Sequence, residues 1–190
     1  MRRLVVLIGL SLAFVAHAAP PEAASREACF ATVKAFYVWT LKNGEAVDTL
    51  QPVIEDIKGT THFRLNLDTL PEFSAAFMRS GLFAREFPGK LERYYTKYRD
   101  QFHTMPQNEF DEIARSGRGP MMETEDMDVF FCAQEYEYKQ EFIDRLKVVS
   151  FHARGNTATV TVESPYGWKT DFDLTHEGDR WLISGYCVFR

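Results

Sequence analysis

The segment TATVTVESPYGWKTDFDLTHEGDRWLI, residues Thr157–Ile183, decides the fold of this chain. Its first six residues alternate threonine with alanine or valine, and Glu163 continues the polar positions, which is the period-two pattern of a strand that buries one face. Turn-forming residues at Ser164–Gly167 and Glu177–Asp179 separate this strand from two more. The segment therefore predicts an antiparallel meander with one buried face and one wetter face.

The meander extends beyond this segment in both directions. Phe142–His152 predicts a preceding strand, and Arg154–Asn156 supplies the turn that follows it. The next-to-last strand carries its buried side chains at alternate positions, namely Trp168, Thr170, Phe172 and Leu174. The last strand places Trp181, Ile183 and Cys187 on one face.

Helices precede the sheet. Ser25 is a favoured N-cap residue, and Asn43-Gly44 is expected to end the first helix. Between them an apolar stripe repeats at helical spacing: Cys29, Phe30, Val33, Phe36, Tyr37, Thr40 and Leu41. Helices first and a meander last predict an α+β domain, in which the N-terminal helices pack on the C-terminal antiparallel sheet.

The middle of the chain gives a weaker pattern. It predicts an extended piece in Gly59–Leu67, two short helices in Leu70–Phe87, and a helix that begins at Pro88. Between Met105 and Asp128 the periodicity disappears, so we predict a long loop there. Long loops without secondary structure of their own are typically functional or disordered.

The first 18 residues have the order of a secretory signal peptide. Arg2 and Arg3 precede an apolar run, Leu4–Val15, and small residues follow up to Ala18. The run is about 12 residues long and a membrane-spanning helix needs about 20, so no stable membrane anchor is expected. We predict cleavage after Ala18, a leader at 19–24, a single domain at 25–190, and a periplasmic or secreted product.

The charge of the exported chain is acidic. Without Arg2 and Arg3 it has 20 basic and 27 acidic residues, a formal charge of −7. Such a surface repels nucleic acid and favours basic partners, although the same charge also serves ordinary solubility.

Three cysteines enter an oxidising compartment in which disulfides persist. At most one intramolecular bridge forms among them, and either Cys29 or Cys132 is able to reach Cys187. The alternative is three reduced, buried thiols that act as small hydrophobic groups. The sequence leaves this choice open.

Several short motifs resemble a bacterial envelope family. They are Phe36–Trp39, Asp126–Phe130, Cys132–Gln134, Gly167-Trp168 and Gly178–Ile183. They resemble the YbjP-like lipoproteins, which belong to a domain family of unknown function. The resemblance implies a cone-like fold similar to nuclear transport factor 2, a cystatin-like roll in which helices pack on a curved sheet with a pocket at its mouth. It supplies no catalytic residues, and the acylated cysteine of the lipoproteins is missing here.

The binding candidates are aromatic and acidic. Tyr136 and Tyr138 lie in an otherwise polar stretch and offer amphipathic rings to a partner, unless core packing takes them. Asp126 and Asp128 belong to an acidic run that fits no complete calcium loop, so we expect them to be solvated or to accept backbone N–H bonds. No metal or cofactor is predicted.

No catalytic motif is recognisable, so the chain is expected to be a non-enzymatic binding protein with an unknown protein or small-molecule partner. Immunity proteins, which neutralise a toxin, are one subset of this class. The alternative is a small hydrolase or isomerase that pairs His152 with Asp171 or Asp173 in a pocket.

Overall fold

The computed structural model describes residues 22–117, 122–124, 127–134 and 138–190. The helices are α1 (Glu22–Asp48), α2 (Leu70–Arg79), α3 (Phe87–Thr104), α4 (Gln107–Ser116) and α5 (Gln140–Asp144). The strands are β1 (Val53–Asp56), β2 (Phe63–Asn66), β3 (Lys147–Arg154), β4 (Thr157–Glu163), β5 (Lys169–Glu177) and β6 (Arg180–Tyr186). The predicted α+β class is confirmed. The predicted signal peptide at 1–18 lies outside the described residues.

The predicted meander is present as a four-stranded antiparallel sheet in the order β3-β4-β5-β6. Val160 of β4 faces Phe172 of β5, and both side chains are fully buried. The threonines of β4 lie on the other face, where Thr161 is opposite Asp171. Period-two alternation was enough to place both faces, because each side chain of a strand points away from its neighbours.

Two details of the predicted strands are wrong. Phe142 belongs to α5, where Gln140 Nε2 donates to Asp144 Oδ1 at 3.0 Å across one helical turn, and β3 begins only at Lys147. Cys187 lies just after β6 and has a φ of 52°, which takes it out of the extended strand conformation.

The first helix is longer than predicted at both ends. It begins at Glu22, so Ser25 lies within it and is buried rather than capping its start. It continues through Asn43 and Gly44 to Asp48 and buries Val47 in the core, while Asn43 Nδ2 donates to the carbonyl of Trp39 at 2.8 Å. That bond is compatible with helix, whereas the turn expected from Asn-Gly is not formed.

The core is built from aromatic rings between α1 and the sheet. Phe36 is fully buried, and its ring centroid lies 5.0 Å from that of Tyr186, 5.3 Å from Phe83 and 6.2 Å from Phe172. The rings meet edge to face, the arrangement favoured by their quadrupoles. The predicted stripe of α1 therefore packs against the buried face of the sheet, except at its end, where Leu41 is 36% exposed.

The middle of the chain differs from its prediction in two places. The second short helix before Phe87 is absent, and the segment around Phe83 instead runs alongside β6, where Ile183 N–H donates to Leu82 O at 2.8 Å. The predicted loop after Met105 contains α4, a short helix in which Phe110, Ile113 and Ala114 share one face and only Phe110 is fully buried. Among the described residues, no helix is long and apolar enough to span a membrane.

Candidate binding site

A groove of about 700 Å³ lies between the second half of α1 and the segments that lead towards α5. We call it the loop groove. Its α1 side is lined by Thr40, Leu41, Gly44, Glu45 and Asp48, with Gln51 just beyond the helix. Its other side is lined by Thr124, Met127, Asp128, Phe130, Phe131 and Tyr138.

Helical geometry brings the α1 side together. Leu41, Gly44, Glu45 and Asp48 are spaced three or four residues apart and therefore share one face of the helix. A Cβ at Gly44 would lie 3.2 Å from Thr40 Cγ2 and 3.9 Å from the ring of Phe130. A side chain at Gly44 would therefore press on Thr40 of the same helix, whereas it would meet the facing loop only at an ordinary van der Waals distance.

Hydrogen bonds of Asp128 fix the facing loop. Its Oδ1 accepts the backbone N–H of Phe130 at 2.8 Å and that of Phe131 at 3.1 Å. Its own N–H donates to Ala133 O at 2.8 Å, and Cys132 N–H donates to Asp128 O at 2.8 Å. The prediction that this carboxylate accepts backbone N–H bonds is confirmed for Asp128, while Asp126 lies outside the described residues.

A disulfide ties the same loop to the end of the sheet. Cys132 and Cys187 are bridged, with Cα atoms 5.7 Å apart, and both have positive φ angles, of 54° and 52°. Non-glycine residues rarely adopt that conformation, so each cysteine is held there by its surroundings. The third cysteine, Cys29, is fully buried and reduced, and burial raises the pKa of its thiol to about 12. The structure thus selects one of the two bridges that the sequence left open.

Stacked aromatic rings border the groove. The ring of Tyr138 stacks on Phe131 with centroids 3.6 Å apart, and Phe131 stacks on Tyr37 of α1 at 5.2 Å. The hydroxyl of Tyr138 donates to Gln134 O at 2.8 Å. Tyr138 is half-buried, so its ring packs on the core at Phe131 and also lines the groove. Tyr136, the other predicted aromatic candidate, lies outside the described residues.

The charges that line the groove have one sign. Its ionisable side chains other than Tyr138 are the carboxylates of Glu45, Asp48 and Asp128, and no lysine, arginine or histidine belongs to the described lining. Thr40 adds a polar group that is 5% exposed, and its Oγ1 has no hydrogen-bond partner. A buried hydroxyl without a partner is costly, so Thr40 marks a place where a bound donor would be favourable.

Two of the twelve residues in the described lining, Asp128 and Tyr138, were named as binding candidates from the sequence. Glu45 and Asp48 were missed, because the helix was expected to end at Gly44. Glu45 lies four residues after Leu41, and Asp48 lies four residues after Gly44. That spacing was the available signal, and it required the helix to continue.

The alternative catalytic residues lie elsewhere, on the face of the sheet opposite the core. His152 pairs with Thr159, and Thr159 with Asp173, so the row crosses three strands. His152 is exposed, and its Nε2 lies 3.2 Å from Ser150 Oγ. The described contacts include no hydrogen bond between His152 and either Asp171 or Asp173.

The two aspartates are instead held by Arg190. Its guanidinium donates to Asp171 Oδ2 at 2.8 Å and to both carboxylate oxygens of Asp173 at 2.8 and 3.0 Å. Thr159 and Thr161 donate to Asp173 and Asp171 respectively, which occupies both carboxylates further. Burial raises the pKa of Asp173, but the bonds from Arg190 and Thr159 outweigh it and the pKa lies below its ordinary value.

Within the described parts of the chain, no group of three or more histidines, cysteines or carboxylates is placed to hold a metal ion. No protein-family model, curated protein or solved structure matches this chain. The resemblance to the YbjP-like lipoproteins stays a prediction from the short motifs.

Proposed function

We propose that this chain is an exported, non-enzymatic binding protein that holds a protein or small-molecule partner in the loop groove. The observation that carries the proposal is the groove itself, where aromatic rings and three carboxylates of two separate segments converge. A volume of about 700 Å³ is within the ordinary range for ligand sites. The exposed lining of the groove is more polar than apolar, which favours a polar or charged ligand. A toxin-neutralising immunity protein is one member of this class.

The rigidity of the groove supports binding. One wall is a helix packed on the core, and the other is a loop fixed by Asp128 and by the Cys132–Cys187 bridge. A site that is ordered before its ligand arrives loses less conformational entropy on binding.

The export part of the proposal is supported by the leader and by the bridge. Arg2, Arg3 and the following apolar run have the order of a signal peptide. Structural disulfides such as Cys132–Cys187 persist mainly in oxidising compartments. A periplasmic or secreted location agrees with both observations.

Binding is better supported than hydrolysis or isomerisation. The carboxylates that line the loop groove are able to act as general bases, but its described lining contains no histidine, cysteine or serine to form a base–nucleophile pair with them. The candidate pair of histidine and aspartate lies on the opposite face of the sheet, where Arg190 already holds the carboxylates.

Site-specific photo-crosslinking tests the proposal. A benzophenone amino acid replaces Leu41, which lines the groove and is 36% exposed. The matched control places the same group at Val149, which is 45% exposed on β3 and is not part of the groove. Each exported protein is irradiated in periplasmic extract, and adducts are identified by mass spectrometry.

The proposal predicts a discrete adduct with the probe at Leu41, and its absence with the probe at Val149. Competition with unlabelled wild-type protein is expected to remove the adduct. Equal labelling at both positions, or no adduct at Leu41, contradicts the use of the groove as a binding site.

A further inference from the structure

We infer that the loop groove takes a basic peptide segment, with arginine or lysine side chains inserted between α1 and the Asp128 loop. The inference rests on the proposed function and adds the chemical class of the partner. It is carried by three features of the groove: the carboxylates of Glu45 and Asp48, which form no ion pair among the described residues, the apolar surface of Leu41 and Tyr138 beside them, and the buried hydroxyl of Thr40 without a partner.

The two carboxylates on the helix side of the groove form no ion pair among the described residues. Glu45 and Asp48 are both exposed. Asp48 accepts a hydrogen bond from Gln51, which is neutral, so its charge remains. Because Glu45 and Asp48 lie three residues apart on one helix face, their charges repel one another, and a cationic guest relieves that repulsion.

The apolar lining favours a long cationic side chain over a small inorganic cation. Leu41 is partly exposed on one wall, and the half-buried ring of Tyr138, stacked on the buried Phe131, forms part of the other. Arginine and lysine pack their aliphatic stems on such surface and keep the charged end among carboxylates. Arginine also stacks on aromatic rings and binds carboxylates through two parallel hydrogen bonds.

Thr40 adds an acceptor for the guest. Its hydroxyl is buried at the border of the groove and lacks a hydrogen-bond partner. Guanidinium, ammonium and peptide N–H groups are all donors, and an incoming donor would satisfy the Thr40 oxygen. The same hydroxyl would gain little from an aliphatic ligand.

Calorimetric titration with two peptides tests the inference. One peptide alternates glycine with arginine, and the other alternates glycine with glutamate. The groove variant is Glu45→Gln with Asp48→Asn, which removes two charges and keeps the side-chain shapes. The matched control is Glu109→Gln with Glu112→Gln, because these two exposed carboxylates of α4 have the same spacing and lie outside the groove.

The arginine peptide is expected to bind the wild type and the control variant with the same affinity. It is expected to bind the groove variant at least about tenfold more weakly, because that variant has lost charge-assisted hydrogen bonds. The glutamate peptide is expected to bind none of them. If the arginine peptide binds both variants equally more weakly than the wild type, only net charge matters and the inference is overturned. Binding of the glutamate peptide to the wild type would also overturn it, as would the absence of any binding by the arginine peptide. A crosslinked partner at Leu41 without a basic segment would leave the proposed function standing and overturn the inference alone.

Discussion

The unpartnered hydroxyl of Thr40 is expected to lower the stability of the free protein and to strengthen ligand binding. Thr40→Val keeps the shape of the side chain and removes an oxygen that has no partner. We expect the free energy of unfolding to rise by about 1 kcal/mol, because an unsatisfied buried polar group is removed. Urea denaturation measures this change, and titration with the arginine peptide is expected to show weaker binding by the same variant. A fall in stability would show that the hydroxyl is already satisfied in the folded protein.

Asp128 fixes the loop through its carboxylate. Asp128→Ala removes the acceptor of the Phe130 and Phe131 N–H bonds, and we expect a loss of about 1 kcal/mol, as for the loss of a helix cap. Asp128→Asn keeps an oxygen at the same place and is expected to lose less. Thermal unfolding of the two variants checks the order, and an equally large loss in both would indicate that the negative charge matters more than the hydrogen bonds.

Asp173 links stability to pH on the opposite face of the sheet. Because its pKa is lowered in the folded state, the carboxylate stabilises the fold above its ordinary value of about 3.9, and this contribution is lost as the pH falls through the lower folded value. Asp173→Asn is therefore expected to be less stable than the wild type at pH 7, with a difference that shrinks towards pH 2. Denaturant unfolding at several pH values measures it. Asp179→Asn, in the exposed β5–β6 turn, is the control, and the same pH dependence there would contradict the role of Arg190.

At the scale of elements, the disulfide holds the wall of the groove. Cys132 and Cys187 are 55 residues apart, and a bridge across such a loop stabilises a fold by about 2 to 4 kcal/mol. We expect the double variant Cys132→Ser with Cys187→Ser to lose about that much stability and to bind the arginine peptide more weakly.

The control for the bridge is Cys29→Ala, which removes the reduced cysteine and leaves the disulfide intact. A reductant is expected to lower the melting temperature of the wild type and of Cys29→Ala, while the double serine variant stays unchanged. Unaltered peptide binding after reduction would show that the loop keeps its position without the bridge.

The elements that the sequence predicted well are those whose burial is periodic. In β4, and in β5 around Phe172, buried side chains alternate strictly with more exposed ones. The sequence alone therefore predicted which side chains face the core. The end of α1 was not predicted, because the helix passes through a typical turn dipeptide, Asn43-Gly44, and buries Val47 in the core beyond it. The helix α4 was missed because its apolar stripe, Phe110, Ile113 and Ala114, is short and lies among polar residues.

At the scale of the whole molecule, α1 connects the core to the groove. One face of the helix buries Phe36 against the sheet, and its C-terminal half presents Leu41 and Glu45 to the groove. The site is thus built partly on a helix that the core holds rigid. The opposite wall of the groove is a loop that the Cys132–Cys187 disulfide links to the end of the sheet. Local sequence patterns do not encode such a tertiary contact.

The central claim is that a ligand binds between α1 and the Asp128 loop. The most direct test is two-dimensional NMR of the labelled protein, with the signals of backbone amides followed during titration with the arginine peptide. The account predicts that amides of Gly44, Glu45 and Phe130 shift progressively, while those of Thr159 and Asp173 stay in place. Shifts confined to the face of the sheet that carries Asp173, or no shifts at saturating peptide, would contradict it.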